Sequence, residues 1–211
     1  MIDPADIDLA DFLAACYGPP SRSAVGLPDS CDWLPAPLRE WHVLASRWEK
    51  RINFMTKMIA PERIRLAGDG NAVFMIDSTG DWRWCFDPAN PDSVFEAGLH
   101  EPWEKMPERM SQFLVHATIR EAVYGATFGT HALSVTEDVL REILAPMREV
   151  GFGEWNWPEP GYRIFMGEGF VAMVAKSVPG QPGWDVEVGA FESSTLSGLE
   201  DIPGVDWRRN S

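Results

Sequence analysis

The stretch that most limits what this chain can fold into is residues 71–86. Ala72-Val73-Phe74-Met75-Ile76 is an apolar run of strand length, Asp77-Ser78-Thr79-Gly80 is turn chemistry, and Asp81-Trp82-Arg83-Trp84-Cys85-Phe86 then alternates. A period of two puts Trp82, Trp84 and Phe86 on one face and Asp81, Arg83 and Cys85 on the other. Two such strands make a hairpin, and a hairpin with an aromatic face needs further strands or a helix to lie against it. Asp87-Pro88, Asn90-Pro91 and Asp92 read as an acidic turn that does not continue the ladder, with Val94-Phe95 as a further edge strand.

Helical spacing brackets this hairpin. Ile7, Phe12 and Leu13 suit a short helix over 6–16, ended by Gly18-Pro19-Pro20, and residues 21–32 read as a loop. Leu38, Trp41, Leu44, Ala45 and Trp48 mark a stronger helix over 36–51. Residues 53–69 are irregular, with a short strand at 64–66. Met110, Phe113, Leu114 and Ala117 lie on the longest helix, expected over 106–124 and closed by Gly125. Ser134-Val135-Thr136-Glu137 has the capping-box pattern ahead of Val139, Leu140, Ile143, Leu144 and Met147. Strands are then expected at 152–157, 162–166, 170–175 and 184–188, the last after the turn Pro179-Gly180-Gln181-Pro182-Gly183, with a final helix over 194–200. Strands and helices do not alternate regularly, so the class is α+β: a central, mostly antiparallel sheet flanked by helices, with additional C-terminal strands. A boundary near Gly129 lacks the composition of a linker, and one domain over 1–211 is expected.

At 211 residues with 45% hydrophobic content the chain can bury a sizeable core. No apolar run approaches a membrane span, and the first eight residues are acidic where a secretory leader is basic and then apolar, so a cytoplasmic protein is expected. Cys16, Cys31 and Cys85 are odd in number and far apart, which suits reduced thiols rather than a disulfide framework or a zinc knuckle. The net charge of −14 repels nucleic acid. It is uneven: residues 39–69 carry seven Arg/Lys against four acids, and residues 77–104 carry seven acids against Arg83 alone. The acidic stretch is either a solvated face or a docking surface for a basic partner.

Catalytic patterns are weak. His42, His100, His116 and His131 are scattered, without the helical spacing of a metal pair, and neither cofactor nor metal is expected. No cysteine sits in a nucleophile context. Asp77-Ser78-Thr79-Gly80 is one residue away from the Asp-Thr-Gly turn of aspartic proteases, and the second such turn is missing. Gly68-Asp69-Gly70-Asn71 lacks the residues of a phosphate or calcium loop and reads as a plain β-turn. Glu101 and Glu104 straddle Trp103 and would face one another on a helical turn. Ten tryptophans raise a carbohydrate platform as an alternative, although Trp82 and Trp84 on one strand face equally describe a buried sheet.

Three short motifs in order point to a family. Trp33-Leu34-Pro35 running into Leu38-Arg39-Glu40-Trp41 resembles the helix that opens SUKH-superfamily domains. Val73-Phe74-Met75-Ile76, then Trp84 and Asp87-Pro88, is similar to that superfamily's strand, polar turn, tryptophan strand and Asp-Pro segment. Trp103 followed by Met110-Ser111-Gln112-Phe113-Leu114 resembles its closing helix. The resemblance covers residues 33–124, with 130–211 as an extension or second lobe. It departs at Asp77-Ser78-Thr79, where members usually carry Glu-Asn-Gln, and at the long Asp87-to-Val94 segment.

The resemblance implies an α+β fold and a non-enzymatic bacterial immunity protein that neutralises a cognate toxin, often a nuclease. A nuclease must be basic to grip phosphates, so an acidic inhibitor gains steered association. The contact surface is expected to draw on Asp77, Asp81, Asp87, Asp92, Glu96 and Glu101, with Trp82 and Trp103 as anchors. The alternatives are a hydrolase whose site is assembled from distant residues and a regulatory or carbohydrate-binding module.

Overall fold

The computed structural model describes residues 1–178 and 180–209, so Pro179 of the expected turn lies outside the described residues. In chain order the elements are α1 (Leu9–Tyr17), α2 (Ala36–Ala45), β1 (Thr56–Met58), β2 (Ala72–Asp77), β3 (Trp82–Asp87), β4 (Asn90–Gly98), β5 (Glu104–Arg109) and α3 (Met110–Gly125). Then come β6 (Phe128–Val135), α4 (Glu137–Leu144), β7 (Arg148–Glu149), β8 (Arg163–Gly167), β9 (Phe170–Lys176), β10 (Trp184–Ala190), α5 (Ser193–Glu200) and β11 (Arg208–Arg209). The class is α+β, with two antiparallel sheets where one central sheet was expected: five strands in the order β1-β2-β3-β4-β5 and six in the order β11-β6-β10-β9-β8-β7. The chain divides into two compact units, Pro19–Glu121 and the segment Met1–Gly18 together with the described residues from Ala122 onward. The division falls inside α3, after Glu121.

In the 19–121 unit, Phe74 and Trp84 from the sheet meet Phe113 of α3, and Phe86 packs beside Phe74. Ring centroids lie 5.5 Å apart for Phe74–Phe113 and 6.4 Å for Trp84–Phe113, and all four side chains are fully buried. The expected alternation of β3 holds for Trp84 and Phe86. Cys85 is buried as well, on the opposite face beside Val73 and Phe95.

Three expectations for this unit are corrected. The segment after Asp87 does continue the ladder: Pro88-Ala89 is the turn, Asn90 pairs with Asp87, and β4 is a central strand rather than an edge. The register jumps there from Asn90 opposite Asp87 to Val94 opposite Phe86. Pro91, Asp92 and Ser93 therefore sit in a bulge where the ladder needs no amide from the proline. The long helix begins at Met110, because residues 104–109 form β5, an edge strand on which Pro107 is tolerated. The helix expected over 36–51 ends at Ala45, because residues 21–22 take the carbonyls beyond it. The Ser21 and Arg22 amides donate to the Arg47 carbonyl, and the Arg22 guanidinium donates to those of Ser46 and Trp48. The strand placed at 64–66 reduces to a single bridge between Leu66 and Ala72, while β1 forms at Thr56–Met58.

In the other unit, α4 and α5 pack Leu140, Ile143, Leu196 and Leu199 against Ala172, Val174, Val186 and Val188 of the six-stranded sheet. The N-terminal segment joins here. Ile2 bridges Val150 in parallel, and Phe12 of α1 meets Phe191 edge-on at 6.2 Å. Thr136, two residues later than the capping pattern placed it, caps α4 by accepting from the Val139 amide, while Ser134 takes a positive φ at the end of β6. Residues 152–157 form no strand; Trp155 is buried edge-on against Tyr162 instead.

Candidate functional site

The eight acidic and aromatic residues singled out above lie in the 19–121 unit, and the sheet divides them. Asp77 is buried at the end of β2 and organises the hairpin turn. Its carboxylate accepts from the Trp82 amide at 2.9 Å, the Thr79 amide at 3.3 Å and the Thr79 hydroxyl at 2.5 Å. Burial alone would raise its pKa. The bonds from Thr79, Trp82 and Gly80 outweigh burial and hold the carboxyl below the usual range.

Asp81 stands exposed on that turn, its carboxylate 3.0 Å from the Thr79 hydroxyl. Trp82 is half-buried and donates its indole N–H to Glu96 at 3.2 Å. Glu96 points inward from β4 beside Trp84 and is buried, so it takes its place in the core rather than on the face. Glu101 is exposed after β4, and the backbone ties it to the same end of the sheet: Trp82 pairs with Gly98, and the Leu99 amide donates to the Asp81 carbonyl at 2.6 Å. A Cβ at Gly98 would come within 2.7 Å of the Glu101 carboxylate and 3.3 Å of the Trp82 ring, which places both side chains over this glycine. Asp81, Trp82 and Glu101 thus form one cluster.

Asp87 and Asp92 lie at the other end of β3, about 17 Å away at the usual rise per strand residue. Asp87 accepts from the Ala89 amide in its turn, and Asp92 sits 3.7 Å from the Arg109 guanidinium. Trp103 folds onto the outward face. Its indole N–H donates to Asp69 at 2.7 Å, and the Arg83 guanidinium lies 4.8 Å from its ring centroid. The Trp103 bond, followed by that of the Asn71 amide, holds the exposed Asp69 carboxyl below its ordinary range. Sequence reasoning missed Asp69, which was legible only as a turn residue. Glu101 and Glu104 share no helical turn, because Glu104 opens β5.

Burial pushes the Cys85 thiol up to about 12, with the Asp69 charge adding to it, and Cys16 is raised by burial as well. Beneath the sheet, α3 carries a buried polar network. Glu121 accepts from the Thr56 hydroxyl, the Arg120 guanidinium and the Met55 amide, each at 2.8 Å, and from the Phe54 amide. His116 Nδ1 and Glu108 are 2.9 Å apart, and the Trp41 indole donates to Thr118. Among the described residues no group of three or more His, Cys, Asp or Glu is placed to hold a metal ion, and no helix is long and apolar enough to cross a membrane. No protein-family model, no curated protein and no solved structure matches the chain.

Proposed function

We propose that the chain is a non-enzymatic binding protein of the immunity type, cytoplasmic, which neutralises a basic protein partner through the acidic end of its five-stranded sheet. One observation carries this reading. Asp81 and Glu101 stand exposed at one end of the sheet, on a backbone held by the buried Asp77 and by the Leu99–Asp81 bond. Carboxylates on a backbone that is already ordered attract a cationic surface with no loop to fix on binding, and the charge of the whole chain adds long-range steering. The resemblance to SUKH domains supports the same reading, since it implies a toxin partner, a nuclease among the candidates. A basic toxin suits an inhibitor charged like this one.

The test uses the cognate toxin as partner, sought among the products of the neighbouring genes. Reversing both charges with Asp81→Lys and Glu101→Lys slows association at least tenfold at low salt and flattens its dependence on salt, with dissociation changed less. Asp87→Lys with Asp92→Lys, at the far end of the sheet, changes the rate less than threefold. Equal effects from the two pairs would reduce the acidic end to a general charge effect, and unchanged kinetics in both would remove it.

A further inference from the structure

The six-stranded sheet is covered differently on its two faces. One face supplies Ala172, Val174, Val186 and Val188 to the apolar cluster with α4 and α5. On the other, His131, Glu187 and Met173 lie side by side across β6, β10 and β9, and Asp185 lies beside Ala175 in the next row. At Gly189 this second face is closed: a Cβ there would come within 2.8 Å of both the Ala126 Cβ and the Val123 carbonyl oxygen. Toward Asp185 it opens into a pocket of about 370 Å³.

The pocket walls are apolar, built from Tyr124, Leu133, Pro158, Met173 and Val178, while Glu159, Asp185 and Glu187 contribute carboxylates. The Tyr124 hydroxyl lies 3.7 Å from the Met173 sulfur. Asp185 is held by the Ser134 amide at 2.9 Å and the Ser177 hydroxyl at 2.6 Å. The lining includes one cation, Lys176, whose ammonium lies 5.9 Å from the ring centroid of Trp184. That ring packs against the apolar cluster of the opposite face and donates its indole N–H to Glu137, so the lysine charge is drawn out of the pocket.

Hydrocarbon and aromatic walls around three carboxylates, that of Asp185 held in place by Ser134 and Ser177, suit a cationic head on an apolar stem. The carboxylates converge on no metal geometry. We propose that this pocket binds an organic cation, an ammonium or guanidinium carried on a short aliphatic chain. The head meets Glu187 and Glu159, and the stem lies against Leu133, Met173 and Val178.

The probe is n-butylguanidinium, followed through the amide resonances of β6, β9 and β10, with n-butylurea as its neutral isostere. Saturable shifts are expected for the cation, with the urea at least tenfold weaker. Glu187→Gln and Glu159→Gln, the second a loop substitution that leaves the sheet intact, each weaken the cation about fivefold. N-acetyl-arginine amide identifies the source: affinity equal to or above that of the free cation assigns the pocket to a side chain of a protein, and weaker affinity assigns it to a small molecule. Absence of saturation in the pocket resonances, equal affinity for the urea, or an undiminished affinity in both variants overturns the proposal.

Discussion

The two units solve the same problem of burial with opposite materials. Among the described residues, every buried polar or charged side chain except Thr130 belongs to the 19–121 unit, and the core of the other is an apolar cluster from Ala132 to Ile202. The polar set centres on α3. Arg120, fully buried, lies between the Glu121 carboxylate at 2.8 Å and the Trp84 ring at 6.0 Å, and Glu121 also collects the amides that lead into β1. A buried ion pair adds little net stability, but it makes the interior intolerant of losing one member. An apolar cluster tolerates loss in proportion to the volume removed. The difference teaches where geometry is being enforced: the polar network holds residues 54–56, and hence the β1 edge beside the hairpin, in one arrangement.

The largest effect that would sharpen this contrast is Glu121→Ala. It removes the carboxylate beside the buried Arg120 guanidinium and leaves the Met55 and Phe54 amides without that acceptor, and should cost about 3–5 kcal/mol in urea unfolding. A loss below about 1 kcal/mol would mean that water reaches the site and that the two cores are alike. In the other unit Ile143→Ala, fully buried on α4, should cost about 2–4 kcal/mol, with Ile143→Val below about 1.5. Asp77→Asn should cost about 1–2 kcal/mol, because the amide keeps one acceptor for the Trp82 N–H but loses the charge that the turn amides stabilise.

Acid should separate the units as well. Burial lowers the His42 imidazole to about 4 against the opposing pull of Glu62, and burial lowers His116 against the opposing bond and charge of Glu108. Both groups are neutral when folded and take up protons near 6.5 when unfolded. The unfolded state therefore binds more protons below that pH, and stability falls as pH drops from about 6.5 toward about 4. Unfolding midpoints across that window should decline in the native chain and decline less in His42→Leu; a parallel decline would sink the assignment. The smallest effect concerns the thiols. Cys16 and Cys85 are buried with raised pKa values and lie in different units, so native alkylation at pH 8 should be negligible at both. In mild urea, Glu121→Ala should speed modification of Cys85 more than that of Cys16. Equal acceleration would mean that the two cores open together.

Much of the fold was legible where side-chain chemistry alone decides it. β2 and β3, the close of α3 at Gly125, and strands β8 to β10 follow from apolar period and turn residues. The failures share a cause, which is that residue type permitted two answers and distant partners chose. Pro107 suits a helix start or an edge strand, and the sheet made it the latter. Asn90-Pro91 looks like a stop until a bulge absorbs the proline. β6 was invisible because one of its faces carries His131 and Leu133 beside the pocket, which erases the alternation. At the candidate site, the acids were visible in the sequence but their burial was not. Asp77 and Glu96 look like surface charge in a list of residues; the turn bonds and the pairing with Thr56 bury the first, and the register of β4 against β3 buries the second.

Residues 1–18 belong with the segment beyond Ala122, although 103 residues of the other unit separate them in the chain. During synthesis they emerge before Pro19–Glu121 yet lack their companions until Val150 and Phe191 have left the ribosome. For that interval Phe12 and Leu13 are exposed to whatever chaperone or stray surface meets them first. The intervening unit has a complete sheet by then. A tag or fusion placed ahead of Ile2 would therefore burden the final closing step of assembly, not its beginning.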